Sequence, residues 1–305
     1  MFCLLSYIVG RTWKKHILMV NAETCIMKKI GVVVLNYKNY EDTIACVNSI
    51  LKQQLIGCEV VIVDNGSNNE SVHILNEKYE AISNVSVIGL SKNYGYAKGN
   101  NAGISELRQR GFSNIFVANS DLLFNSEDTL IQMIDAYEPG VGLINPIIKN
   151  LNGTIDQRVA YKKKYLYLRI IRKILYLFAN KPFPNKASNI DGSIEQTKEL
   201  VGIQKDRYVV SGSGFLLTQD FFKFYNGLFP KTFLYFEEWG TIILLHKAGL
   251  ITKIAECDYI THKGAASTPH NIKALSPERR KINIESAWKI LGLLITPAWI
   301  VRNKY

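Results

Sequence analysis

Three short runs constrain this chain more than anything else in it. They are IGVVVL at residues 30–35, EVVIV at 59–63 and the strand-length segment from Val85 to Leu90. The first is continuously apolar and mostly β-branched, and after Glu59 the second is an unbroken β-branched run, with no polar residue on alternate positions. Such runs suit strands buried on both faces, the condition of a parallel sheet covered by helices. Between them, DTIACVNSILKQQL (42–55) places Ile44, Val47, Ile50 and Leu51 at helical spacing, and helices are expected at 71–79 and 102–110. A fourth strand is expected at 115–118. Strand and helix alternate, so the fold class is α/β, with a largely parallel twisted sheet flanked by helices.

In sheets of this kind ligands bind outside the carboxyl ends of the strands. Polar residues gather there. The first strand runs into Asn36 and Tyr37, the second into Asp64-Asn65-Gly66-Ser67, the third into SKNYGYAKGNN (91–101), and the fourth into Asn119-Ser120-Asp121. Each has a plain structural reading. Asn-Gly is a turn signal, Asp121 can cap the next element, and Gly95 and Gly99 do not form a dinucleotide fingerprint. Each also has a functional reading. Asp64 can accept hydrogen bonds from a nucleoside, Tyr37 can stack on a base, and Asp121 can bind Mg²⁺ or Mn²⁺ if a substrate phosphate completes the shell. Further on, Glu237 and Glu238 follow an aromatic run. They suit the first turn of a helix, and either can serve as a general base. His262 precedes a stretch of small residues.

The chain has 305 residues and a formal net charge of +11, which favours phosphate-bearing partners without choosing among them. The five cysteines are scattered and odd in number, which argues against a disulfide framework and fits a reducing, cytoplasmic compartment. Residues 1–26 carry their positive charges after a short apolar run, unlike a secretory signal. They are expected to lie outside the fold, as an upstream start before Met27 or a weak surface anchor. YKKKYLYLRIIRKILYLFANK (161–181) is basic and aromatic, and AWKILGLLITPAWIV (287–301) is apolar with two Trp residues. The second is short for a span of a bilayer. Both are expected to attach the protein peripherally to an anionic membrane surface, the inner face of the cytoplasmic membrane, or to pack on the domain or a second subunit. Charge alone does not make a nucleic-acid binder. The acid-bearing strand ends argue against one, and no nucleic-acid partner is expected.

Seven stretches, in order, resemble the family 2 glycosyltransferases and, within them, the rhamnosyltransferase-like branch: VVVLNY, VIVDNGS, NYGYAKGNNAGI, VANSD, GSGFLL, GLFPKTFLYFEEW with HKAGL, and YITHKGAAST. The resemblance covers about Lys29 to Thr268. It implies a GT-A fold and an inverting transfer from a nucleotide-diphosphate sugar, UDP- or dTDP-type, to a saccharide or lipid-linked acceptor, in the making of a cell-surface polysaccharide such as capsule or O-antigen. By position, Tyr37 and Asp64 would hold the nucleoside, with Gly95, Gly99, Asn100 and Asn119 around the nucleotide sugar. Asp121 and His262 would face a divalent metal, Mg²⁺ or Mn²⁺, and Glu238 would be the catalytic base with Glu237 as a second acid. The implied organisation is an extension (1–26), a glycosyltransferase domain (27–268) and an apolar helical tail (269–305). Three positions depart from the family pattern: Asn119 stands in place of the first acid of the strict D-x-D motif, which weakens the expected metal site, Gly240 stands where an acid is common, and Leu244 where a basic residue is common. A degenerate protein that binds a nucleotide sugar or a partner without turnover is the alternative the last two departures raise. A sugar nucleotidyltransferase is the rival enzyme, but VLNYKNYEDT (34–43) lacks the glycine-rich basic loop it would need.

Overall fold

The computed structural model describes residues 29–55, 57–155, 158–162, 165–179, 201–203, 207–264 and 276–305. The extension 1–26, much of the tail's entry (269–275) and parts of the basic run at 161–181 lie outside the described residues. The first half alternates as read: β1 (Ile30–Asn36), α1 (Tyr40–Ile50), β2 (Cys58–Asp64), α2 (Ser71–Tyr79), β3 (Val85–Gly89), α3 (Tyr96–Gln109) and β4 (Ile115–Asn119). There follow β5 (Leu122–Phe124), α4 (Thr129–Asp135), β6 (Val141–Asn145), β7 (Ile148–Asn150), β8 (Arg158–Lys162) and α5 (Leu166–Phe178). The rest comprises β9 (Gly202–Ile203), β10 (Arg207–Ser211), β11 (Gly214–Leu217), α6 (Glu237–Ala248), β12 (Ile251–Ile254), β13 (Ile260–His262), α7 (Pro277–Ile295) and α8 (Ala298–Lys304).

The main sheet has eight strands in the order β3-β2-β1-β4-β11-β6-β12-β9. Strands β1 to β4 are mutually parallel where they pair, β11 runs antiparallel between β4 and β6, and β12 pairs parallel with β6. The continuous β-branched runs are explained by burial on both faces. Val33, Val61 and Val63 enter one core layer with α3 and α6. Ile30, Val32, Val34, Val60 and Ile62 enter the other with α1. Each such side chain is worth about 1.5–3 kcal/mol as an upper estimate.

Register positions the site. Asn36 at the end of β1 lies opposite Asp64 at the end of β2, and on the other flank Leu35 lies opposite Asn119 of β4. Three polar residues therefore share one sheet edge. A second, three-stranded sheet, β5-β13-β7, sits beside it, and its antiparallel pairing sets His262 opposite Leu122.

Two helix boundaries differ from the sequence reading. Helix α1 ends at Ile50 rather than Leu55, because the next residues are bound elsewhere. The Gln53 amide donates to the Ser126 carbonyl and accepts from the Leu130 N–H, while the Gln54 N–H donates to the Glu127 carbonyl. Helix α3 starts at Tyr96 rather than Ala102. Its start is fixed by a distant segment, since the Tyr96 N–H donates to the Phe233 carbonyl at 2.9 Å. The tail packs on this domain: Ala287, Ile290, Leu293, Leu294 and Val301 belong to the same core layer as Trp239 and Ile243. Ser276 caps α7 by accepting from the Arg279 N–H, with Pro277 in the first turn.

Candidate functional site

The first corner of the site is built around Asp64. The side chain is buried, and its carboxylate accepts from Asn36 Nδ2 (2.6 Å), Ser67 Oγ (2.6 Å) and the Ser67 N–H (2.9 Å). Asn36 in turn accepts from Thr43 Oγ1 at 2.8 Å, and Ser67 Oγ accepts from the Lys38 N–H at 2.7 Å. The network locks the loop after β1, where Lys38 takes a left-handed conformation and Tyr37 stands out, 45% exposed, with the Lys38 ammonium 5.2 Å from its ring centre. Asp64 thus holds the loop that presents Tyr37, and the chain itself engages both its oxygens. Asn65, read from the sequence only as part of a turn, is a second hub. It donates to Asn93 Oδ1 and the Gly95 carbonyl and accepts from the Tyr94 N–H.

The NYGYAKGNN segment is mostly helix. Gly95 is its cap at φ +86°, and a Cβ there would collide with the Phe233 carbonyl, so this position needs glycine. Gly99 lies inside α3 against Leu35 and Asn65. Asn100 is fully buried. Its amide nitrogen donates to the Tyr96 carbonyl at 3.0 Å, and its Oδ1 has no hydrogen-bond partner among the described residues.

The second corner joins Asp121 and His262. The β5–β13 pairing brings His262 Nε2 to 3.2 Å from Asp121 Oδ2, and the Lys263 N–H donates to the Asp121 carbonyl. Lys263 Nζ pairs with Asp42 at 2.7 Å. Buried Cys46 lies beneath, and its thiol is pushed up by burial and then by the Asp121 charge. Asn119, one end of the same turn, donates its N–H to the Ser213 carbonyl at 2.9 Å. Among the described residues, no three His, Cys, Asp or Glu side chains converge as a metal cage. The Asp121 carboxylate and His262 imidazole are donors that suit Mn²⁺, or Mg²⁺ with more difficulty, as part of a shell that substrate oxygens complete. The residues present fit the cation in that limited sense.

The third corner is the start of α6. Tyr235 and Phe236 both have left-handed backbones, φ 71° and 68°, just before Glu237. Two consecutive bulky residues in that region store roughly 1–3 kcal/mol each, a cost found where geometry must be enforced. The enforcement is visible. Phe233 O holds the Tyr96 N–H, the Leu234 carbonyl accepts from Ser286 Oγ of α7 at 2.8 Å, and Phe236 is buried against Trp239. Among the described residues Glu237 Oε1 is buried without a hydrogen-bond partner, although the carboxyl takes backbone hydrogen bonds from Tyr235 and Glu237. Burial first, and the neighbouring Glu238 charge second, push the Glu237 carboxyl up to about 8. The Glu238 carboxylate lies over Gly212, where any side chain would strike it. Gly212 opens the turn between β10 and β11, and the next residue is Ser213, the acceptor for Asn119. The acid turn and the Asp121 turn are thereby two contacts apart.

Tyr96 was not singled out in the sequence. Its hydroxyl donates to the Gly212 carbonyl at 3.2 Å, and its phenol is pushed up by burial and then by Glu237, Glu238 and Asp121. The charges of three carboxylates, from two parts of the chain, act on one hydroxyl. The only hint in the sequence was the second Tyr of NYGY, which looks like any core aromatic. Gly240 and Leu244 face the other way. Gly240 packs on Phe229 and Ile290 of α7, and Leu244 is fully buried with its carbonyl accepting from Tyr225.

Residues 31–189 match the family described as glycosyl transferase family 2, and the chain belongs to that family. Its fold is the GT-A type expected from the motif order. Among solved structures it is similar to residues 1–349 of TarS from S. aureus in complex with UDP, with a TM-score of 0.54 and 16% identity over 87% of this chain and 64% of that one. It is likewise similar to the same protein in complex with UDP-GlcNAc, with a TM-score of 0.52 and 15% identity over 87% and 65%. The chain spans about two thirds of those proteins, and at such identities the likeness is one of fold. No curated protein matches it.

Proposed function

We propose that the protein transfers a sugar, with inversion, from a UDP- or dTDP-type nucleotide sugar to a saccharide or lipid-linked acceptor, in the rhamnosyltransferase-like manner its motif order resembles. A cell-surface polysaccharide is the product class this reading implies. One observation carries it: Glu238 rests on the Gly212-Ser213 turn that also binds the backbone of Asn119, so a proton acceptor and the Asp121–His262 pair share one small edge of the sheet. That the similar TarS structures were solved in complex with UDP and UDP-GlcNAc supports a nucleotide-sugar donor.

In this reading Tyr37 stacks on the base, and the Asp64 and Asn65 networks hold the two loops that bracket the nucleoside. Asp121 and His262 would hold Mn²⁺ or Mg²⁺ together with the diphosphate. When bound, that cation stabilises the charge growing on the leaving nucleoside diphosphate as a Lewis acid. Burial and the neighbouring Glu238 charge raise the Glu237 carboxyl and favour its protonated form, so Glu238, which lies over the Gly212 turn, is the acid assigned as the base. It takes the proton of the acceptor hydroxyl as that oxygen attacks the anomeric carbon from the face opposite the leaving group. The remaining contribution is positioning, which the strained entry to α6 supports.

The binding-only alternative drew on Gly240 and Leu244. An acid at Gly240 would meet Phe229 and Ile290, and a basic residue at Leu244 would be buried, so both are fitted to the packing of α6 against its neighbours. A donor panel tests the proposal: UDP-, dTDP- and GDP-sugars, with and without Mn²⁺, assayed for hydrolysis and transfer. Turnover with at least one donor, lost in Asp121→Asn together with Mn²⁺-dependent nucleoside diphosphate affinity, is the expected outcome. An Asp121→Asn protein with unchanged affinity removes Asp121 from the site, and no turnover with any donor returns the binding-only reading.

A further inference from the structure

We propose that one face of the molecule, formed by α5 and the two C-terminal helices, docks on an anionic lipid bilayer. Helix α5 has two apolar faces. Leu166, Ile170 and Ile174 are buried in the core. On the opposite side Leu168, Ile171, Leu175 and Phe178 recur at three- and four-residue intervals and stand exposed, Leu168 at 65% and Leu175 at 61%. A helix that only packs on its domain needs the first stripe and not the second. The outer stripe runs about 15 Å along the helix axis.

The stripe continues onto α7. Phe178 packs on Trp288 with ring centres 5.3 Å apart, and Trp288 is 57% exposed. Seven residues on, and so on the same side of α7, Ile295 is also exposed. Trp299 of α8 is 68% exposed. Exposed Trp residues at the margin of an aliphatic stripe suit the boundary between headgroups and acyl chains. Among the described residues no helix is long and apolar enough to cross a membrane, so the face would lie on a bilayer rather than in it.

Charge selects this occupant. The α5 segment 166–178 carries three Lys or Arg and no acid. Residues 277–305 carry six Lys or Arg against Glu278 and Glu285. Arg172, Lys281, Lys289 and Lys304 are exposed. A second copy of the chain would bring this positive face against itself, since a two-fold interface pairs like patches. Anionic headgroups neutralise it, each exposed basic residue near the surface adding to the attraction. Helix α7 turns its other side inward, where Ser286 holds Leu234 just before the acid turn. The docking proposal does not depend on catalysis.

The full chain can be mixed with phosphatidylcholine vesicles containing or lacking phosphatidylglycerol, at low and high salt, with sedimentation and Trp emission as readouts. Binding only to the anionic vesicles, weakened by salt, with a blue shift from Trp288 and Trp299, is the expected result. The double variant Leu168→Glu/Leu175→Glu, whose side chains are exposed and whose fold is checked by circular dichroism, should bind roughly tenfold more weakly or worse. Trp288→Ala/Trp299→Ala should bind more weakly and lose the blue shift. Equal binding by the Leu→Glu variant would place the membrane contact elsewhere in the chain and overturn the proposal. So would absence of binding at low salt, indifference to lipid charge, or a dimer broken by the same substitutions in a protein that ignores vesicles.

Discussion

The Asp64 corner and the Glu237 turn each bury a carboxylate at the edge of the same sheet, and they treat it in opposite ways. Asp64 accepts three short hydrogen bonds and organises a loop. Glu237 keeps an oxygen buried without a partner, beside a second acid, after two residues in a strained backbone. A buried charge with a full set of donors is architecture, whereas Glu237, with backbone hydrogen bonds from Tyr235 and its own N–H that do not offset burial, is destabilised as a charge unless it takes up a proton. The fold tolerates the second arrangement beside the acid proposed as the base, and uses the first where it needs a rigid platform.

The comparison can be broken most forcefully at Asp64. Asp64→Ala leaves the Asn36 amide and both Ser67 donors short of an acceptor in a buried place, so the protein should lose about 3 kcal/mol of stability in chemical denaturation. A loss near zero would mean that the network is not structural. Glu237→Gln should do the reverse at alkaline pH. Because the folded carboxyl sits near 8 and the unfolded one near its ordinary value of 4.5, the native state holds the extra proton between those values. Stability from this group is complete below about 4.5 and falls as pH rises towards 8. Glu237→Gln should flatten that fall and be the more stable protein at pH 9 by roughly 1 kcal/mol or more. Parallel pH–stability curves for the two proteins would show that Glu237 is not buried as described. The smallest expected effect is at Tyr96. Tyr96→Phe removes one hydrogen bond to Gly212, worth about 0.5–1.5 kcal/mol, and should lower turnover more than it lowers nucleoside diphosphate affinity. An equal effect on both would make Tyr96 a general stabiliser of α3.

The two regions also differ in how far they could be read beforehand. The Asp64 corner was legible because local pattern decides it. β-Branched runs end in polar residues, parallel register aligns those ends, and Asp64 and Asn119 fall on either side of β1. The order of motifs likewise paired Asp121 with His262, although the antiparallel β5–β13 pairing that brings them together was not foreseen. The Glu237 turn was legible only as two adjacent acids. Its conformation depends on contacts far apart in the chain: Phe233 with Tyr96, Leu234 with Ser286, Glu238 with Gly212. No periodicity carries such contacts, and a left-handed Tyr-Phe pair contradicts local preference. The same holds for Gln53, whose capture by Ser126 and Leu130 ends α1 early. The outer stripe of α5 was visible as composition, but its direction needed the fold.

Side-by-side kinetics of Glu238→Gln and Glu237→Gln, with nucleoside diphosphate affinity measured by calorimetry on each, test the central claim most directly. If Glu238 takes the acceptor proton and Glu237 is its protonated neighbour, Glu238→Gln should lose roughly 10²–10⁴-fold in turnover with donor affinity nearly unchanged, while Glu237→Gln keeps most of its turnover. Loss of turnover in Glu237→Gln with Glu238→Gln still active would contradict the account, because the acid whose carboxyl burial raises would then be the base.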